Sequence, residues 1–214
     1  MPDFLRDTPA DRVRARFLFA HGAGAPMDSE FMDAISAGLC GRGIEVLRFE
    51  FPYMAQRRSG GSRRPPNPMP QLQDCFRERV GQAAEPGVPL FIGGKSMGGR
   101  VASLLADELF GSGDIAGLVC LGYPFHPRGK PDKLRTGHLL ALECPALVVQ
   151  GSRDPLGNAE EVAGYGLPDS IRRHWLEDGD HDFKPRRASG FTREQHWQSA
   201  VDAVAGFILP PAGS

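Results

Sequence analysis

Short, nearly unbroken apolar runs separated by segments of helical period constrain this chain more than any other feature. FLFA within Arg16–Ala20, LFI over Leu90–Ile92 and ALVV within Ala146–Gln150 are too short for buried helices and rich in aromatic or β-branched residues. A strand reads as continuously apolar when both faces of its sheet are covered. Ile44–Phe49, Leu118–Leu121 and Ile171–Leu176 complete the expected strands. Between them, Phe31, Ile35 and Leu39 share a helical face behind Asp28 as expected N-cap. Leu72, Cys75, Phe76 and Val80 form a second such face, and Val101, Leu104, Leu105 and Leu109 a third. Thr192 and Gln195 make a capping box for a last helix whose stripe is Trp197, Ala200, Val201, Val204 and Ile208, before a tail at residues 210–214. This alternation predicts an α/β fold with a mostly parallel, doubly wound sheet and right-handed crossovers. Ligands of such sheets bind beyond the carboxyl ends of the strands, so chemistry is sought in the loops that follow them. The aperiodic stretch from Phe51 to Pro70 is expected as one long connection, either functional or mobile.

At 214 residues the chain suits a single domain spanning 1–214, with its core at about 16–208. A net charge of −1 gives no general attraction to nucleic acid or acidic membranes, and neither is expected as a partner. The opening MPDFLRDTPADRVRARF carries charge throughout, so no signal peptide is expected, and no apolar run is long enough to span a bilayer. Cys40, Cys75, Cys120 and Cys144 are widely spaced, without CxxC or a Cys/His cluster. They read as reduced thiols of a cytoplasmic protein, and no metal or cofactor is expected.

Gly94-Lys95-Ser96-Met97-Gly98 follows the strand PLFIG and precedes a helix. G-x-S-x-G is a weak signal alone and a strong one in this strand–turn–helix context, where a sharp turn lifts a serine above the sheet. A P-loop reading of Gly94-Lys95-Ser96 fails because Pro89 stands where its first glycine is required. A nucleophilic serine needs a base and an orienting acid, which in this arrangement follow it in the order Ser, Asp, His. Asp154 follows the strand ALVVQ, and His181 follows the strand ending at Leu176. Asp132 is the reserve acid; His174, His196, His126 and His138 lie at poorer positions for a base. Asp178, Asp180 and Asp182 read as solvated turn residues. Backbone donors for an oxyanion are expected at Met97 and in the loop His21-Gly22-Ala23-Gly24-Ala25-Pro26, at Ala23. That loop is no dinucleotide fingerprint, since Met27 replaces its third glycine. Arg57, Arg58, Arg63 and Arg64, with no acidic residue between them, are candidates for gripping an anionic substrate.

HGAGA at 21–25, GKSMGGR at 94–100, GSRD at 151–154 and GDH at 179–181 resemble the α/β-hydrolase superfamily. The similarity is to its small capless bacterial branch of dienelactone-hydrolase-like proteins, over about Phe17 to Phe207. It implies an eight-stranded sheet pattern with trimmed early strands, no cap domain, and carboxylic ester hydrolysis. Residues and resemblance together predict a serine hydrolase acting on a small-molecule ester or thioester, as a monomer or homo-oligomer. The rival expectation is a non-catalytic interaction scaffold of the same fold, against which retention of Ser96, Asp154 and His181 argues.

Overall fold

A computed structural model of the chain describes residues 4–209, so the expected tail at 210–214 lies outside the described residues. Its strands are β1 (Leu5–Asp7), β2 (Ala15–Ala20), β3 (Ile44–Phe49), β4 (Leu90–Lys95), β5 (Gly117–Leu121), β6 (Ala146–Gly151) and β7 (Ile171–Leu176). Its helices are α1 (Glu30–Cys40), α2 (Pro52–Arg58), α3 (Met69–Ala83), α4 (Met97–Ser103), α5 (Ala106–Gly111), α6 (Ala159–Ala163) and α7 (Arg193–Ile208). The strands form one seven-stranded sheet in the order β1-β3-β2-β4-β5-β6-β7. Every pairing is parallel except β1 on β3. The early part of the sheet is trimmed to β1, of three residues.

Alternation along each strand divides the apolar residues between two cores. Phe17 and Phe19 of β2 face Ile35 and Leu39 of α1 and Val201 and Val204 of α7. Leu18 and Ala20, on the opposite face, pack with Phe76 of α3 and with Val101 and Leu109. Among the described residues no helix is long and apolar enough to cross a membrane.

Several local expectations are corrected. β4 runs on through Gly93 and Gly94 to Lys95, and a Cβ on Gly93 would collide with the Val119 carbonyl of β5. Phe51 to Pro70 is not one loop: it contains α2, and α3 begins at Met69. Pro52 presets the first helical φ, and Tyr53 and Met54 bury one side of α2. The N-cap of α1 is Ser29, without a side-chain bond, while Asp28 is held by Arg58. The third expected helix breaks into α4 and α5. There the Leu105 N–H tightens onto the Ala102 carbonyl, and Leu104 is only half-buried. The capping box at Thr192 forms as expected, but His196 is buried where Trp197 is only half so.

Candidate active site

Ser96 sits at the turn between β4 and α4 with φ 51° and ψ −113°, in a region L-residues seldom occupy. Holding it there costs roughly 1–3 kcal/mol, which the surrounding packing must offset. The Ser96 N–H donates to the Leu121 carbonyl of β5 at 2.9 Å. A Cβ on Gly94 would come within 2.6 Å of the Gly99 nitrogen, and one on Gly98 within 2.6 Å of the His21 carbonyl oxygen. Only glycine allows the turn to close this tightly.

The loops after β4, β6 and β7 bring Ser96, Asp154 and His181 together. His181 Nε2 lies 2.9 Å from Ser96 Oγ, and His181 Nδ1 lies 2.7 Å from Asp154 Oδ2. Asp154 is fully buried. Its Oδ1 accepts from the Leu156 N–H at 2.8 Å, and its Oδ2 also accepts from Gln150 Nε2 at 2.9 Å. Gln150 is itself buried and bonds both ways with the Tyr123 backbone: its Oε1 accepts the N–H at 2.7 Å, and its Nε2 donates to the carbonyl at 3.1 Å. The carboxylate is therefore set by a core amide that the sequence reading overlooked.

Lys95, the variable residue of the G-x-S-x-G turn, is a second overlooked partner. Its Nζ donates to the His181 carbonyl at 2.6 Å, lies 5.6 Å and 5.7 Å from the ring centres of Phe31 and Phe183, and is 3.4 Å from Asp182. Burial holds its pKa below the ordinary lysine value, against the opposing pull of Asp182. From the other side, buried His196 bonds the Phe183 carbonyl at 2.9 Å through Nδ1. Asp178 pairs with Arg186 and Arg153; the Arg186 hydrogen bonds hold its carboxyl down at about 2. Asp180 caps the turn by accepting from the Asp182 and Lys184 N–H groups, each at 2.9 Å.

Met97 follows Ser96 directly, and the loop of Ala23 comes close through Gly22, where an added Cβ would lie 3.8 Å from Ser96 Cβ. Met97 opens α4, where an N–H has no intrahelical acceptor. Outside helices and strands, no described backbone hydrogen bond is donated by Ala23 or Met97. The Ala23 loop is held by His21, whose Nδ1–H donates to the Gly22 carbonyl at 2.6 Å while Nε2 accepts the Phe51 N–H at 3.1 Å. Burial lowers the His21 pKa, consistent with one neutral tautomer serving both bonds. Tyr53 Oη of α2 donates to the Ala23 carbonyl at 3.0 Å, and burial pushes its pKa up to about 12.

The other candidates lie apart. Asp132 is exposed. His174 bonds Ser199 at 2.8 Å, and His126 lies 3.5 Å from Glu161. Arg57, Arg63 and Arg64 are exposed, and Arg58 is clamped by Glu50 and by Asp28. A cleft of about 880 Å³ between α2 and α3 and a smaller one of about 340 Å³ beside Pro26 and Arg57 are not lined by Ser96 or His181.

The sequence profile of the alpha/beta hydrolase domain matches residues 13–209. Among solved structures, dienelactone hydrolase from Anabaena variabilis is 21% identical, covering 92% of this chain and 84% of its own, with TM-score 0.63. An α/β serine hydrolase without lid from Xanthomonas campestris is 17% identical over 96% of this chain and 85% of that one, with TM-score 0.64. The esterase domain of a Rhodothermus marinus protein is 16% identical over 95% and 91%, also at TM-score 0.64. At these identities the likeness is one of fold, including the lack of a cap.

Proposed function

This chain belongs to the alpha/beta hydrolase domain family, and on that premise we propose that it is a serine hydrolase cleaving a carboxylic ester or thioester through an acyl-enzyme. The observation that carries the reading is the unbroken hydrogen-bonded chain Ser96–His181–Asp154, hung on a turn with positive φ. Ser96 Oγ attacks the acyl carbon as its proton passes to His181 Nε2. Asp154, accepting from Nδ1–H, keeps the imidazole in the tautomer that leaves Nε2 free to accept. The N–H groups of Met97 and Ala23 receive the negative charge that develops on the carbonyl oxygen. Collapse of the tetrahedral adduct breaks the bond to the alcohol or thiol, which leaves with the proton from Nε2. Water then repeats the sequence on the acyl-enzyme, its proton going to His181, and releases the acid with Ser96 restored.

Labelling with a fluorophosphonate probe tests the reading directly. The wild-type protein should be modified at Ser96 alone and Ser96→Ala not at all. Ser96→Ala should also lose on the order of 10³-fold or more in kcat on p-nitrophenyl esters. Failure of the wild type to react with either the probe or the esters would leave the scaffold reading in its place.

A further inference from the structure

One helical turn beyond Ser96, with its N–H on the Ser96 carbonyl at 3.0 Å, Arg100 projects from α4. Its Nε is buried and has no hydrogen-bond partner. Arg135, in the segment between β5 and β6, is likewise half-buried, and among the described residues neither guanidinium is paired with a carboxylate. One side-chain contact, between Ser103 of α4 and His138, brings this segment against α4. The Ser103 hydroxyl donates to the Arg100 carbonyl at 2.8 Å and lies 2.8 Å from His138 Nε2, while Tyr123 Oη donates to the Arg135 carbonyl at 3.0 Å. Burial, and then the Arg100 charge, lower the pKa values of both Arg135 and His138. Asp107, the acid that acts on His138, is committed to the N–H groups of Glu143 and Cys144.

The contrast within the molecule is informative. Arg16, Arg48 and Arg58 each meet two carboxylates. Arg100 and Arg135 have none among the described residues, although the charge of Arg100 is felt at Arg135. Partly burying unpaired cations within reach of each other's charge costs free energy, and an orphaned buried donor asks for a partner that the chain does not supply. A bidentate oxyanion would satisfy the donor and remove the repulsion together.

We infer that Arg100 and Arg135, with His138 beside them, form a binding site for the carboxylate or phosphate group of a small molecule. Resting on the hydrolase reading, this site takes the anionic end of the ester, since Arg100 lies on α4 one turn beyond Ser96, which caps that helix. This site is distinct from the anion preference anticipated at Arg57, Arg58, Arg63 and Arg64.

Calorimetric titration of inorganic phosphate and of succinate into full-length Ser96→Ala protein at low salt separates the site from catalysis. At least one of the two should bind saturably, with affinity reduced tenfold or more by Arg100→Gln and by Arg135→Gln and unchanged by Arg58→Gln. Should Arg100→Gln fail to fold, Arg100→Lys keeps the charge without the fork and should still weaken binding. No binding of either ion, or binding indifferent to Arg100 and Arg135, overturns the site. Parallel assays compare a neutral ester with one bearing a remote carboxylate, and the charged ester alone should lose kcat/KM in the arginine variants. Equal loss on both esters overturns the placement of the substrate. A protein that binds the ion through these arginines but cleaves neither ester refutes the hydrolase reading and leaves the site standing.

Discussion

Asp154 accepts hydrogen bonds from three directions, from His181, from Gln150 and from the Leu156 N–H. Asp154→Asn keeps the size of the side chain but presents a donor that can turn toward Nδ1, favouring the wrong imidazole tautomer. We expect kcat to fall on the order of 10³–10⁴-fold with little change in melting temperature, measured on a p-nitrophenyl ester. If Asp132→Asn is the damaging change instead, the acid is misassigned. Lys95 acts through the carbonyl of His181, so Lys95→Met should lower kcat more than it raises KM. Its buried charge also has a pH signature. With the folded pKa below the ordinary 10.5, the unfolded chain holds this proton more tightly than the folded one. The penalty for burying the ammonium is full below the lowered value and fades as pH rises from there toward the ordinary one. Denaturant unfolding at roughly pH 7 to 10 should therefore show wild type gaining on Lys95→Met as pH rises, and a constant difference would refute the assignment. Ser96, Asp154 and His181 could be named from sequence because each follows a recognisable strand. Lys95 could not, since its partner lies 86 positions away, and Gln150, though four residues from Asp154, is fixed by the Tyr123 backbone 27 positions away.

The turn into α4 is an element whose tolerance can be computed from its neighbours. Alanine normally gains roughly 1 kcal/mol over glycine inside a helix. At Gly98 that gain loses, because the new Cβ would meet backbone oxygens of His21 and Ala20 at 2.6 Å and 2.7 Å, and backbone cannot step aside. Gly98→Ala should destabilise by about 2–3 kcal/mol. Gly111→Ala, at the end of α5 with nothing within 4 Å, should be neutral or stabilising by up to about 1 kcal/mol. Thermal melts of the two variants check the contrast. Helix legibility followed length and local bonding. The capping box of α7 is written in adjacent residues and was readable. α2 was not, because seven residues with only Tyr53 and Met54 buried show no period. Asp28 misled as a cap because its partner, Arg58, belongs to that unseen helix.

At the scale of the whole molecule, the sheet was legible because its apolar alternation is simply divided between two faces, one core behind α1 and α7 and the other beneath α3, α4 and α5. The connection between β5 and β6 holds no helix or strand, so no folded cap stands over Ser96. Hydrolysis of a short-chain ester should then rise smoothly with concentration through the solubility limit, without the jump that lid opening at an interface produces; a sharp activation on emulsions would contradict this. The clefts beside α2 and the unpaired arginines were hidden from sequence, since both arise where distant segments meet. The non-glycine residues with positive φ among those described are Ser96, Asp178 and Phe183, that is, the serine and two residues around His181. Positive-φ backbone among the described non-glycine residues is thus gathered around the proposed catalytic centre. A library of variants screened for heat resistance alone would drift toward glycine at position 96, and on the proposed mechanism its sturdiest survivors would be the least able to turn over an ester.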